Sequence, residues 1–415
     1  MKLLIILLAA SATLVAPSMA AKEKASFTFY VALQSTGILE VSFDPNKDVN
    51  ESLSIIATNT NAGKMPGWLT SYHHKIYSIS RTAFPDNDTK SGGVFAFQEP
   101  PASAARGTLL TFLDKESSNG DGGVYCDVNR DGKTLAAANI DGSTVSIYPL
   151  SEDGTIGKAT YVFKYNLTEP SPGTRDSQVK ANPHQSIFDP SGQFLFVPCR
   201  GADRVYVYSV QGPEQVKEIE SITLPPGTGP RHVVFKQLNA TTADMYLISE
   251  LDNTVRLFTL NYENPWGPRF PQEAGNLTIT LKQTISTLGP DLPPSLPDNR
   301  DLAAEIAVTH DGKFAYASNR NTLSLDSDNL AIYSVHDNRL TYLGSNETQG
   351  KIPRHFALSK DQDNQWLAVA NQLTQDIVVF ERDLKAGLMK DVKGRLKLGE
   401  LDMTLALGPM CILWK

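Results

Sequence analysis

Cysteine is scarce: Cys126, Cys199 and Cys411 are the only three in 415 residues, so at most one disulfide can form and a disulfide-stapled fold is excluded. Each lies in or beside an apolar strand pattern, where a thiol behaves as a small buried hydrophobe. No Cys-x-x-Cys, His-Glu-x-x-His or Gly-x-x-x-x-Gly-Lys-Ser/Thr spacing occurs, so the short signatures of redox, zinc and phosphate-loop chemistry are missing. Asp326 and Asp328 beside Asn329 lack the loop glycine and bidentate glutamate of a calcium loop, and neither a metal nor a cofactor is expected. Runs of lysine and arginine are also missing and the net charge is −7, which argues against nucleic acid as a partner. Beyond Val15 no segment approaches the roughly 20 apolar residues of a membrane helix, so no membrane partner is expected.

The first residues carry a positive end (Lys2), a short apolar run (Leu3 to Val15) and small residues at Ser18-Met19-Ala20. This is the pattern of a secretory signal over residues 1–20. Asn-x-Ser/Thr acceptors follow at Asn50, Asn87, Asn166, Asn239, Asn276 and Asn346. Leader and acceptors together lead us to expect a secreted, extracellular glycoprotein whose residues 21–415 form one domain.

Through the remaining chain, runs of Val, Ile, Phe and Tyr alternate with Gly, Asp, Asn and Pro clusters. No long stretch keeps a 3.6-residue apolar period, so the sequence reads as all-β. Tight turns recur after short strands at Asp189 to Gly192, Arg130 to Gly132 and His310 to Gly312, with glycine where a hairpin needs positive φ. Aligning on these turns sets equivalent strand starts at Pro66, Gly123, Pro183, Pro230, Ala303, Pro353 and Pro409, about 47 to 73 residues apart. Seven units of that size predict a seven-bladed β-propeller, which grows by adding sheets and not by enlarging one core. The seventh unit ends after one strand, Pro409 to Trp414, while Phe27 to Ala32 and Ile38 to Phe43 supply spare strands at the other end. Pairing of the two ends in one blade would close the ring.

In a propeller the first strand of each blade lies next to the axis and the second runs antiparallel beside it. First-strand starts and second-strand ends therefore share one mouth. The first inward positions are Gly67, Val124, His184, Arg231, Ala304, Arg354 and Met410; the second-strand ends are Arg81, Asn139, Cys199, Glu250, Asn319 and Asn371, with Arg320 one place further. His184, Arg231, Glu250 and Arg320 thus converge from units three to five, an acid–base pair plus a clamp for a small anionic substrate. Simple alternation sends His232 and His355 to the opposite side, between blades, as packing or hydrogen-bonded residues. His73, His74 and His336 read as solvated. Two proline-rich connections, Glu169 to Pro183 and Leu288 to Asp301, should reach the same mouth as walls or lids.

Asn182 to Val197 (Asn-Pro-His-Gln-Ser-Ile-Phe-Asp-Pro-Ser-Gly), Gly229 to Phe235 (Gly-Pro-Arg-His), Ala303 to Lys313 and Ile352 to Leu358 (Ile-Pro-Arg-His) resemble the lactonase propellers. That group holds the cycloisomerase-type 6-phosphogluconolactonases and the fungal carboxy-cis,cis-muconate cyclases. The resemblance spans the mature chain and implies lactone hydrolysis, with muconate-type cycloisomerisation as the alternative within the group. In the cyclases a histidine, a glutamate and two arginines form the proposed site, and His184, Glu250, Arg231 and Arg320 stand at the matching positions. A third reading is a catalytically silent propeller that binds a ligand or protein through the same mouth.

Overall fold

The computed structural model describes residues 26–167, 177–265, 275–290, 302–322 and 326–415. The leader at 1–20 and most of the two proline-rich connections lie outside the described residues. Within them the chain forms seven four-stranded antiparallel sheets. We number the blades from their innermost strands, which begin near Pro66, Gly123, Pro183, Pro230, Ala303, Pro353 and Pro409.

The closing blade is made as the sequence suggested. Its innermost strand is Pro409–Trp414, and Phe27–Leu33, Gly37–Phe43 and Leu53–Asn59 follow outward. Phe29 pairs with Trp414 and Ala32 with Cys411, so backbone hydrogen bonds join the chain ends and leave no open edge at the seam. The three expected turns hold positive φ at Gly132, Gly192 and Gly312, each with its N–H bonded to the carbonyl three residues back.

Because both faces of every sheet are covered, the inner strands carry apolar residues on both sides while the outermost strands are largely exposed, and the core divides into seven clusters, one per blade interface. At the interface of blades 6 and 7, Phe29, Phe43, Trp366 and Trp414 interlock; the Phe43 and Trp366 rings stand edge to face at 5.2 Å. Cys126, Cys199 and Cys411 are free and buried within these layers, where burial pushes their thiols up.

One regularity positions the site. In each blade the innermost strand holds one more residue than its partner over the same span, as between Pro230↔Ser249 and His232↔Ile248, or Pro353↔Asn371 and His355↔Ala370. The same slip occurs in the other blades. Such a β-bulge interrupts alternation and turns two successive side chains to one side. The axis is therefore lined by two tiers: an outer one of Gly67, Val124, His184, Arg231, Ala304, Arg354 and Met410, and beneath it Trp68, Tyr125, Gln185, His232, Glu305, His355 and Cys411. In blade 3 the bulge reduces the innermost strand to a bridge at Pro183 and a short ladder at Ile187–Phe188.

This corrects the placement of His232 and His355 between blades. His232 meets Trp68 of blade 1 edge-on at 5.4 Å and Tyr125 of blade 2 at 5.4 Å, and His355 meets Trp68 at 4.8 Å. Contacts between blades that are not neighbours are possible only at the axis. Both histidines are indeed buried and hydrogen-bonded.

Candidate active site

The outer mouth opens into a cavity of about 390 Å³ whose lining includes Arg81, Asp141, His184, Arg200, Glu250, Arg320 and Arg354. Three of the four residues singled out by the sequence line it, and the fourth, Arg231, is 1% exposed and reaches the cluster through Glu250.

Glu250, at the end of the second strand of blade 4, sits at the centre. Its Oε1 accepts a hydrogen bond from Arg200 Nε at 2.7 Å, and its Oε2 lies 3.1 Å from Arg231 Nε and 3.0 Å from Arg320 Nη2. Burial alone would raise this carboxyl, but Arg200, Arg320 and Arg231 outweigh it and hold it well below the usual carboxylate range. The guanidiniums are committed elsewhere too. Arg320 donates from Nε to the Leu302 carbonyl and from Nη2 to the Ala303 carbonyl, at 2.8 and 3.2 Å. Arg231 Nη1 donates to the Ala304 carbonyl at 2.6 Å, and Arg200 donates to Ser177.

Arg354 differs. Among the described residues no carboxylate, carbonyl or hydroxyl meets its guanidinium, although it faces the cavity half-buried. Burial first, then repulsion from Arg231, Arg320 and Arg81, pulls it well below the ordinary arginine range. Arg81 pairs with the exposed Asp141 at 3.0 Å. Among the described residues five arginines thus stand against two carboxylates, an excess of three positive charges around the opening.

His184 is 3% exposed. Its Nδ1 lies 3.1 Å from His232 Nε2, which leaves Nε2 as the nitrogen turned to the mouth. Burial, then Arg231, holds this imidazole well below its ordinary value, so it is neutral at pH 7. Beneath it, His232 Nδ1 lies 3.0 and 3.2 Å from the two carboxyl oxygens of Glu305. Glu305 also accepts the Ile306 N–H at 3.1 Å and lies 3.7 Å from His355 Nε2.

The sequence therefore located the outer cluster and missed four partners. Arg200 stands one place past a strand end where Cys199 was counted; Arg354 was placed at the mouth without a role; His232 and Glu305 were hidden by the bulge. The Pro-Arg-His pattern shared by Pro230 to His232 and Pro353 to His355 was the available signal.

Of the six glycan acceptors, Asn50, Asn87, Asn166, Asn239 and Asn276 are exposed, whereas Asn346 is half-buried and its Oδ1 accepts the Met389 N–H at 3.1 Å. Asn239 lies in the hairpin between the first two strands of blade 4, on the face away from the cavity. Asp328, weighed above as a calcium ligand, is fully buried and pairs with Lys351 at 3.0 Å.

Comparison with known proteins agrees with this architecture. A protein of Lactococcus lactis subsp. cremoris, uncharacterized, is 29% identical over 369 residues, covering 88% of this chain and 94% of its own. A 6-phosphogluconolactonase of Bacillus subtilis is 28% identical over 318 residues, covering 75% and 78%. The solved structure of a periplasmic gluconolactonase of Pseudomonas aeruginosa superposes with a TM-score of 0.75 at 21% identity, over 94% of this chain and 99% of that one, which speaks for the fold. The pattern of the family described as Lactonase, 7-bladed beta-propeller matches residues 24–406, and the chain belongs to that family.

Proposed function

We propose that the outer mouth hydrolyses a sugar lactone bearing an anionic group, of the 6-phosphogluconolactone type. One observation carries the reading: a neutral, buried imidazole whose Nε2 faces a cavity lined, among the described residues, by more arginines than carboxylates. Anionic substrate is drawn in by that field, and Arg354, whose guanidinium meets no carboxylate, carbonyl or hydroxyl among the described residues, is the first to receive it.

Roles follow from the electrostatics. His184 Nε2 takes a proton from water as the oxygen attacks the lactone carbonyl, since a neutral imidazole is a competent base at pH 7. The surrounding guanidiniums stabilise the oxyanion that forms. Glu250 is a poor base, because three arginines hold it ionised; it organises Arg200, Arg231 and Arg320 into a fixed cluster. The 6-phosphogluconolactonase relatives support this substrate class. The leader and the exposed acceptors support secretion, which the N-terminal residue of the exported protein would test.

The experiment is acid release at constant pH from 6-phosphogluconolactone and from glucono-1,5-lactone, with parent protein and His184→Ala. Turnover of the phosphorylated lactone that collapses in the variant is expected; a parent no faster than buffer refutes the reading.

A further inference from the structure

A proton taken by His184 cannot rest there comfortably. Arg231, Arg320 and Arg354 surround the ring, and an imidazolium among them would be a buried charge with like neighbours. The lower tier offers another destination. From His184 Nδ1 the path runs 3.1 Å to His232 Nε2, and from His232 Nδ1 3.0 Å to the Glu305 carboxyl. All three residues are at least nine-tenths buried.

We propose that Glu305 is the terminal proton acceptor of this site, receiving through His232 the proton that His184 Nε2 takes from water. This rests on the hydrolytic reading above, for it states where that reading's proton goes. In the resting form Glu305 is a carboxylate and can only accept, so His232 carries its hydrogen on Nδ1 and accepts at Nε2 from His184 Nδ1–H. His184 Nε2 then holds a lone pair toward the mouth. As water attacks, its O–H bond breaks and an N–H bond forms at His184 Nε2. The His184 Nδ1 hydrogen passes to His232 Nε2, the His232 Nδ1 hydrogen passes to Glu305, and the hydroxide oxygen bonds to the carbonyl carbon. Each ring gains one hydrogen and loses one, so neither is left charged and the buried carboxylate is neutralised. When the ring C–O bond breaks, the reverse shift delivers the proton from His184 Nε2 to the leaving alkoxide and restores the start.

Two contacts match the two forms. Arg231 Nη1 lies 3.4 Å from His232 Nδ1; a guanidinium can only donate, so it favours the form in which that nitrogen has given up its hydrogen. His355 Nδ1 accepts the Ile412 N–H at 3.1 Å, which fixes its hydrogen on Nε2, toward Glu305, and favours the carboxylate. Burial raises the Glu305 carboxyl above the ordinary value although His355 and Arg231 pull it down, which suits a group meant to accept a proton. The remaining ionisable groups around the carboxyl are Arg354, Tyr125 and Cys411.

Histidine-labelled protein tests this without reference to turnover. Long-range ¹⁵N correlations report the tautomer of each of the seven histidines, assigned with His184→Gln and His232→Gln. As pH is lowered within the range where the fold persists, both rings should exchange Nδ1–H for Nε2–H in step and stay neutral. Rings that keep their Nδ1 hydrogens throughout, or either ring becoming doubly protonated, overturn the proposal. In the kinetic arm, Glu305→Gln keeps an oxygen for His232 Nδ1–H to bond yet cannot take the proton. It should lose about 10²-fold in kcat with KM within twofold and show no tautomer exchange; parental kcat overturns the proposal. A parent protein that opens no lactone removes the hydrolytic reading, and the tautomer titration then decides the relay alone.

Discussion

Arg354→Gln should move stability and anion affinity in opposite directions. In the free protein the Arg354 guanidinium is repelled by Arg231, Arg320 and Arg81 and attracted by Glu250 and, more weakly, by Glu305. At an effective dielectric of about 20, two like charges roughly 7 Å apart repel by about 2 kcal/mol. Three such neighbours, less the two attractions and less the screening of a half-buried group, leave about 1–3 kcal/mol of destabilisation that glutamine would relieve. Lost packing of the arginine stem offsets about 1 kcal/mol of that. A chain of this size unfolds with an entropy of about 0.8 kcal/mol/K, so a net gain of up to about 2 kcal/mol appears as a Tm higher by up to about 2.5 °C. A charge-assisted hydrogen bond to a bound anion contributes about 1.5–3 kcal/mol, so the variant should bind 6-phosphogluconate roughly 10- to 150-fold more weakly. Thermal unfolding with and without that ligand reads both effects in one series: the ligand-induced rise present in the parent should be absent at equal concentration. A variant that melts lower and binds the anion as well as its parent refutes the assignment of Arg354 as the free anion receptor.

Three further outcomes follow. His184→Ala should lose roughly 10²- to 10⁴-fold in kcat with an unchanged circular dichroism spectrum, and full activity would remove it from the chemistry. Trp414→Ala strips a side chain 3% exposed whose ring lies tilted 4.8 Å from that of Phe29 and which donates from Nε1 to the Ala357 carbonyl at 3.1 Å. It should cost about 3–5 kcal/mol in urea denaturation, with deletion of the last six residues costing more; a loss under about 1 kcal/mol would mean the seam is not needed. Asp127, beneath the mouth, accepts the Phe188 N–H at 3.0 Å, and burial, partly offset by that bond, raises its carboxyl from 3.8 to about 7. The folded state thus keeps a proton that the unfolded chain gives up: this contribution is complete below about 3.8 and lost as pH rises through 7, a few kcal/mol at most. Asp127→Asn should flatten that part of the pH–stability curve, and an unaltered curve would assign the slope elsewhere.

Seven blades, their starts and the shared closing blade could be read from turn chemistry and strand spacing, because those depend on local backbone preferences that recur in each unit. The outer half of the site was legible for the same reason: His184, Arg231, Glu250 and Arg320 occupy repeat-equivalent strand ends. The inner half was not. Period-two alternation places His232 opposite to Arg231, and only a slip in pairing register, invisible without the partner strand, returns both to the axis. Glu305 was concealed likewise, within an apolar run from Ala303 to Val308. Which guanidinium goes unpaired among the described residues depends on distances between blades, and no single strand encodes that.

The extra residue in every innermost strand separates two design problems that a regular ladder would fuse. Side chains in the rim tier meet whatever enters the funnel, while those one step deeper are walled from solvent by aromatic and sulfur-bearing neighbours on one half of the circle and ionisable ones on the other. Exchanging an uncharged rim residue such as Ala304 can therefore retune what is admitted, whereas exchanging Arg231 or Arg354 also shifts the proton affinity of the floor, because both guanidiniums act on the Glu305 carboxyl.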